Sequence, residues 1–324
     1  MGDVLSYVPP YRGVAVLVPC WNEAATVGKV VGDFLGELPG CAVYVYDNNS
    51  TDATAALARD AGAVVVREPR QGKGNVVRQM LRDVDARAYL LVDGDDTYPA
   101  EAARELVDLV LSGTADMVSG DRLSNGSYGS ENKRAWHGMG NEVVRRAIGA
   151  LYGHTFNDVM TGYRALSREF AKTFPVLSSG FQIETEMSIW AIDRRWRVVE
   201  VPVDYRDRPQ GSTSKLDTVP DGMRVLRCIG SLLKEYKPMA FFGVVALVAL
   251  AVGLALGVPV CLEFSATGEV RRLPTAIVAV ALCGLAALML VCGLVLDSVA
   301  KGERRQWEVQ VTSLWGAGRP GERG

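Results

Sequence analysis

The chain has 324 residues, 35 Lys+Arg against 37 Asp+Glu, a formal net charge of −2, and 48% apolar against 22% charged residues. This composition excludes a disordered chain and a polycationic nucleic-acid binder, and the length admits one large domain or one with an appendage. Two histidines, His137 and His154, exclude chemistry built on several imidazoles and are read as structural. Six cysteines without CxxC or CxxH spacing argue against a disulfide framework or a zinc site.

The N-terminus has neither a basic nor an apolar leader region, so no signal peptide is expected. From Val14 onward, short β-branched runs alternate with helical patterns. Strands are expected at Val14–Val18, Ala42–Tyr46, Val64–Val66, Ala88–Val92 and Asp116–Val118. Helices are expected near Ala24–Leu35, Asp52–Ala61, Gly74–Asp83 and Ala100–Leu111. This alternation predicts an α/β fold with a mostly parallel sheet and helices on both faces. Functional residues then belong at the carboxyl ends of the strands.

Further along, Leu123–Lys133 and Arg206–Lys215 read as polar loops, Gly140–Tyr152 and Phe181–Arg194 as helices, and Val198–Tyr205 as a strand. Residues 218–237 place Met223, Leu226, Ile229, Leu233 and Tyr236 at helical spacing among Arg224, Arg227, Lys234 and Lys237, the pattern of an interfacial amphipathic helix. Met239–Leu262 and Thr275–Leu296 follow, 24 and 22 residues without a charge. At about 1.5 Å per residue each can cross a hydrocarbon core of about 30 Å. Basic residues flank this pair on its outer ends (Arg224 to Lys237, then Lys301, Arg304 and Arg305), whereas the connecting loop holds only Arg271 and Arg272. That asymmetry predicts a hairpin in the cell membrane with both termini and the catalytic domain cytoplasmic. The expected organisation is a domain over 1–217, an interfacial helix over 218–237, the spans within 238–300, and a polar tail over 301–324.

Three polar motifs carry candidate chemistry. Asp93-Gly94-Asp95-Asp96 closes the fourth strand. Its carboxylates repel one another unless a cation or buried donors compensate, and hard oxygen ligands suit Mg²⁺ or Mn²⁺ together with substrate phosphates. An acidic turn capping the next helix is the alternative. Asp47-Asn48-Asn49-Ser50-Thr51-Asp52 closes the second strand, where an acid commonly takes ribose hydroxyls or a base edge. Asp52 reads as a helix N-cap. Gly72-Lys73-Gly74 opens a helix, where glycines permit close backbone approach and Lys73 favours phosphate, although GxxxxGK[ST] is absent.

In order and spacing, Val16–Glu23, Asp47–Asp52, Gly72–Gly74 and Asp93–Asp96 resemble the family 2 glycosyltransferases of the GT-A fold, and more narrowly the polyprenyl-phosphate branch typified by dolichol-phosphate mannosyltransferase. The likeness spans about Val14 to Leu216. Asn157–Arg164 is similar to the DxxxGFR motif, Phe181–Glu186 to the aromatic-x-x-E-x-E helix, and Arg208–Lys215 to the RxxGxSK loop with one residue inserted. Asn48 stands where the family pattern has a second acid, and Thr97 where several relatives carry a Gln that helps the metal.

The resemblance implies that Pro19, Asn22, Glu23, Asp47 and Asn49 hold the donor nucleotide, with Lys73 and Asp93 beside it. It further implies that Asp93 and Asp95 bind Mg²⁺ or Mn²⁺, that Asp95, Asp158, Arg164 and Arg208 serve the reaction, and that Arg208, Ser214 and Lys215 receive the acceptor phosphate. The expected activity is inverting transfer of a sugar from a nucleotide donor to polyprenyl phosphate, with a UDP-sugar favoured over GDP-mannose. Nucleic acid is not an expected partner, and association into homo-oligomers stays open. The alternatives are transfer to another membrane lipid, a processive polysaccharide synthase, and a non-catalytic scaffold or flippase subunit. Ile192 stands where the synthases' QxxRW motif needs its Gln.

Overall fold

The computed structural model describes residues 9–124, 145–146, 149, 156–180, 182–206, 230, 234 and 236–316, with side chains to 312. The expected segments 123–133, 140–152, 206–215 and 218–237 lie largely outside these residues. The chain divides into two compact units, Met1–Val225 and Leu226–Gly324.

The first unit is built on one seven-stranded sheet. Its strands are β1 (Val14–Cys20), β2 (Ala42–Asp47), β3 (Val64–Arg67), β4 (Ala88–Leu91), β5 (Met117–Asp121), β6 (Arg164–Ser167) and β7 (Val198–Pro202), in spatial order β3-β2-β1-β4-β6-β5-β7. All neighbours pair in parallel except around β6, which runs antiparallel to both β4 and β5. Helices α1 (Val27–Glu37), α2 (Thr54–Asp60), α3 (Lys73–Asp83), α4 (Ala103–Leu111), α5 (Arg168–Thr173) and α6 (Ile183–Asp193) connect the strands.

Successive strand residues point to opposite faces, so each strand feeds two layers. Val14, Val16 and Val18 of β1, Val43 and Val45 of β2, and Ala88 and Leu90 of β4 join Val27, Val30, Phe34, Leu106 and Val107 of α1 and α4 in one buried core. The alternate residues serve the other face. There the Tyr46 hydroxyl donates to Asp83 of α3 at 2.9 Å, and Lys172 of α5 sits 5.8 Å from the Tyr89 ring. Coverage on both faces explains why β1 and β4 read as continuous apolar runs. Under the second layer Phe170, Phe174, Trp190 and Trp196 form an aromatic cluster with ring centroids 5.0–6.0 Å apart. β6 and α5 are absent from the sequence expectation, because four residues buried on both faces carry no alternating signal.

The second unit contains α7 (Pro238–Thr267) and α8 (Leu273–Gly316), both long and apolar enough to cross a membrane, with a mean hydropathy of 2.7 in their most apolar windows. Pro238 opens α7, and Gly268, at φ 71°, closes it in the left-handed conformation. The helices pack through small residues: Ala246, Ala249 and Ala279 are buried, and a Cβ on Gly253 would lie 3.0 Å from Cys283 Sγ. Leu247 and Val280 point outward. Both helices outrun the charge-free stretches. α8 continues through 301–316, read from sequence as a polar tail, because charge marks the limit of apolar solvent rather than the limit of a helix made of good helix formers.

Candidate active site

β1 and β2 lie in parallel register, with Cys20 opposite Asp47, so the loops that leave them run side by side. They are stitched together. Asn22 Oδ1 accepts from the Thr51 N–H at 2.8 Å, Ser50 Oγ accepts from the Asn22 N–H at 2.9 Å, and Thr54 Oγ1 accepts from the Glu23 N–H at 2.8 Å. Asn22 and Asn49 take left-handed backbone conformations (φ 55° and 64°) that Asn tolerates better than most residues. Asp52, expected as the N-cap of α2, stands one residue ahead of the N-cap Ala53. It accepts from the Thr54 N–H at 3.0 Å and from the Ala24 N–H at 3.2 Å, tying one loop to the other. Burial alone would raise its carboxyl, but the Thr54 hydroxyl, which donates to Oδ1, and these two N–H groups hold it below the ordinary range. Asp47 is buried at the mouth of β2, where Oδ1 accepts from the Ser50 N–H at 3.1 Å.

Asn48 braces the next loop. Its Nδ2 donates to the Glu68 and Arg70 carbonyls, both at 2.8 Å, and its Oδ1 accepts from the Gly72 N–H at 2.7 Å. A carboxylate can supply neither donation, which gives the neutral residue at 48 a physical reason. Gly72, at φ 123°, and Gly74 then pass against the Ser178–Ser179 backbone so closely that a Cβ on either would collide with a carbonyl oxygen. Glu186 of α6 holds that backbone in turn, accepting from the Leu177 and Ser178 N–H groups at 2.9 and 2.8 Å.

The clamped loop delivers Lys73 to the acidic turn after β4. Lys73 Nζ lies 2.5 Å from Asp93 Oδ1 and 2.6 Å from Glu184 Oε1. Burial opposes the ammonium charge, but Asp93 and Glu184 outweigh it and hold Lys73 well above the ordinary lysine range. The Asp93 side chain keeps 30% of its surface exposed, against 9% and 8% for Lys73 and Glu184, so it forms the solvent face of this trio. Beneath it lies Gly162, where a Cβ would come within 2.5 Å of Asp93 Oδ2. Asp95 is buried, and its Oδ1 accepts from the Thr97 hydroxyl at 2.6 Å. Thr97 therefore orients an acid. Asp96 turns away to Lys29 at 2.8 Å.

On the other side of β4, Arg122 follows β5 and makes a two-pronged pair with Asp158: Nε to Oδ2 at 2.6 Å and Nη2 to Oδ1 at 2.9 Å. The Tyr205 ring faces the same guanidinium at 5.3 Å and the Tyr98 ring at 6.0 Å. Glu200 accepts from the Asn157 and Asp158 N–H groups at 2.9 and 3.2 Å, fixing the turn that presents Asp158. Arg164 is fully buried. It donates to the Thr161 carbonyl at 3.1 Å, the Val159 carbonyl at 2.7 Å and Ser188 Oγ at 2.8 Å, and burial pulls it down to about 10. It braces the 158–163 turn from behind. Arg208, Ser214 and Lys215 lie outside the described residues, as do His137 and His154.

Residues 15–174 match the profile described as Glycosyl transferase family 2. Glycosyltransferase AglJ of Haloferax volcanii is 37% identical over 79% of this chain and 84% of its own length. A dolichyl-phosphate hexose transferase of the same organism is 32% identical over 69% of this chain and 96% of its own. The chain belongs to glycosyl transferase family 2. It is a transferase with a GT-A fold, and the glucosyl-3-phosphoglycerate synthase of Mycobacterium tuberculosis, solved with Mn²⁺, UDP-glucose and phosphoglyceric acid, shares that fold at a TM-score of 0.54 and 24% identity over 69% of this chain and 79% of that one.

Within this family 2 enzyme, Asp93 and Asp95 are the described residues suited to a divalent ion. Both present hard oxygens, and the Gly162 surface cradles the Asp93 carboxylate where a larger residue would displace it. Among the described residues no group of three or more His, Cys, Asp or Glu side chains converges, so such an ion would complete its sphere from phosphate and water. Sequence reasoning passed over Arg122 and gave Glu184 no role. An arginine directly after a β strand's carboxyl end is the one signal that pointed to the former.

Proposed function

We propose that this family 2 transferase moves a sugar from a nucleotide diphosphate donor to the phosphate of polyprenyl phosphate, with inversion and with Mg²⁺ or Mn²⁺. The observation that carries the reading is the acidic turn after β4, with Asp93 paired to Lys73 and Asp95 two residues on, separated from the 47–52 loop after β2 only by β1, in a chain with two helices able to cross a membrane. The dolichyl-phosphate hexose transferase named above supports the acceptor class. By this reading Pro19, Asn22, Glu23, Asp47 and Asn49 receive the nucleoside, and Arg208, Ser214 and Lys215 the acceptor phosphate. The basic flanks of the hairpin support a cytoplasmic catalytic unit.

A divalent ion held by Asp93 and Asp95 would supply neutralisation of the diphosphate leaving group. Lys73 adds a fixed positive charge at the same place. A phosphate-monoester acceptor is already anionic near neutral pH, so its oxygen forms the new bond to the anomeric carbon without surrendering a proton. The old carbon–oxygen pair leaves with the nucleoside diphosphate. Asp158 need not act as a base, since Arg122 occupies both its oxygens, and it serves to orient that guanidinium. Trp196 supports the separation from processive synthases: it packs 5.8 Å from Trp190 and 5.7 Å from Phe170 within the aromatic cluster.

Purified full-length protein, given Mn²⁺ or Mg²⁺, polyprenyl phosphate and a panel of UDP- and GDP-sugars, is expected to form one lipid-linked monosaccharide. Failure with every donor overturns the reading, and product on diacylglycerol in place of polyprenyl phosphate favours the other lipid acceptor.

A further inference from the structure

We propose that Lys73 is a resident cation of the Asp93–Asp96 turn, competing with a divalent ion for Asp93, and that Glu184 is the buried counter-charge that receives its ammonium when Asp93 is taken. The inference rests on the reading of Asp93 and Asp95 as cation-binding carboxylates.

One ammonium stands between two carboxylates at nearly equal distance, 2.5 Å to Asp93 and 2.6 Å to Glu184. The acids differ in what else they can meet. Asp93 opens to solvent, where an incoming cation arrives, whereas Glu184 is buried on a helix enclosed from Ile183 to Ala191. A buried carboxylate without a cation is costly, so Glu184 keeps Lys73 charged and close in every state of the site. Asp93 has no such monopoly. A lysine with Asp93 as its sole partner would be stranded when a divalent ion displaced it, and two cations would face each other across one carboxylate. With Glu184 behind it, Lys73 yields Asp93 by a small rotation of its flexible stem and keeps Glu184 as its partner.

The surroundings suit a fixed counter-charge. Glu186, two residues on, anchors the Leu177 and Ser178 N–H groups, and the adjoining Ser178–Ser179 backbone lies close against Gly74 and Gly72 at either side of Lys73. Helix α6 and the lysine loop are thus tied together through the 177–179 backbone. Glu184 is on this view a positioning residue that sets how firmly the lysine holds Asp93, and hence how readily the turn accepts a cation before any nucleotide is present.

The test is Mn²⁺ binding by the detergent-solubilised full chain, read by electron paramagnetic resonance without donor or acceptor. Glu184→Gln leaves the ammonium with Asp93 alone, and Mn²⁺ affinity is expected to fall about tenfold. Lys73→Met combined with Glu184→Gln removes both the competitor and its counter-charge, and affinity is expected to return to the wild-type value or exceed it. A structural role alone would weaken both variants together, so a double variant as weak as the single overturns the proposal, as does a Glu184→Gln protein that binds like wild type. If Glu184→Gln does not fold by circular dichroism, Glu184→Asp, which withdraws the charge by one methylene, is expected to weaken Mn²⁺ binding by a smaller factor, and unchanged binding there overturns the proposal. Asp95→Asn separates the two readings: if it binds Mn²⁺ as wild type does, or wild type binds none, the cation assignment itself falls and the competition with it.

Discussion

Arg122 and Asp158 meet side-on, with Nε and Nη2 each aligned on one carboxylate oxygen at 2.6 and 2.9 Å. The carboxylate is fully buried and the guanidinium nearly so. Removing one member of such a pair strands the other. Asp158→Ala is expected to lower the unfolding free energy by about 3 kcal/mol, measured by denaturant titration. Arg122→Lys keeps the charge but loses the fork, so it should retain most stability while kcat drops. Equal stability loss in both variants would refute the two-pronged account.

Asn48 offers a second test, because its carboxamide makes three bonds to the 68–72 loop. Asn48→Asp turns two donations into repulsions between oxygens and is expected to cost about 2 kcal/mol. The donor KM should rise, since this loop carries Lys73. A melting temperature and KM equal to wild type would show that the loop does not depend on the amide.

At Gly74 the constraint is space rather than backbone conformation. A Cβ there would run into the Ser178 carbonyl, which Glu186 holds in place through the neighbouring N–H groups. Gly74→Ala should therefore destabilise by roughly 1–3 kcal/mol and displace Lys73, reducing activity more than Gly28→Ala, a helix position with open space around it. The reverse ranking in an activity assay would argue against the clamp.

The Asp52 bridge carries a pH signature. Its carboxyl is held below the ordinary value of 3.8, so the folded state favours the ionised form. The associated stability is complete above about pH 4 and is lost as pH falls through the lowered value. Wild type and Asp52→Asn should differ in melting temperature at pH 7, and the difference should shrink as the pH falls below the ordinary value of 3.8. A difference that persists undiminished at low pH would assign the effect to packing instead.

Much of the first flank was legible in sequence, because β1, β2 and β4 are short apolar runs that end directly in polar motifs. Elsewhere the signal failed for identifiable reasons. Strand β6 opens with Arg164, a residue type expected at the surface, yet it is buried on carbonyls from its own preceding turn. Helix α6 falls inside the helix expected over Phe181–Arg194, but it is enclosed around Glu184, Thr185, Glu186 and Ser188, so no polar face marks Glu184 as the partner of Lys73. The pairs Lys73–Glu184 and Arg122–Asp158 join residues far apart in the chain, and only the sheet order brings them together. The Asn48 carboxamide, read as a departure from a family pattern, is matched to three backbone groups that no linear motif reveals.

The sheet order has a consequence for how such an enzyme diversifies. Strands β3, β2, β1 and β4 occupy one flank and arise from a single unbroken stretch of chain, whereas β6, β5 and β7 occupy the other and arise from stretches separated by long excursions. Insertions in those excursions alter one flank while the register of the other is untouched. The two flanks can therefore vary separately: lengthening an excursion reshapes the second and leaves the pairing of β3, β2 and β1 as it stands.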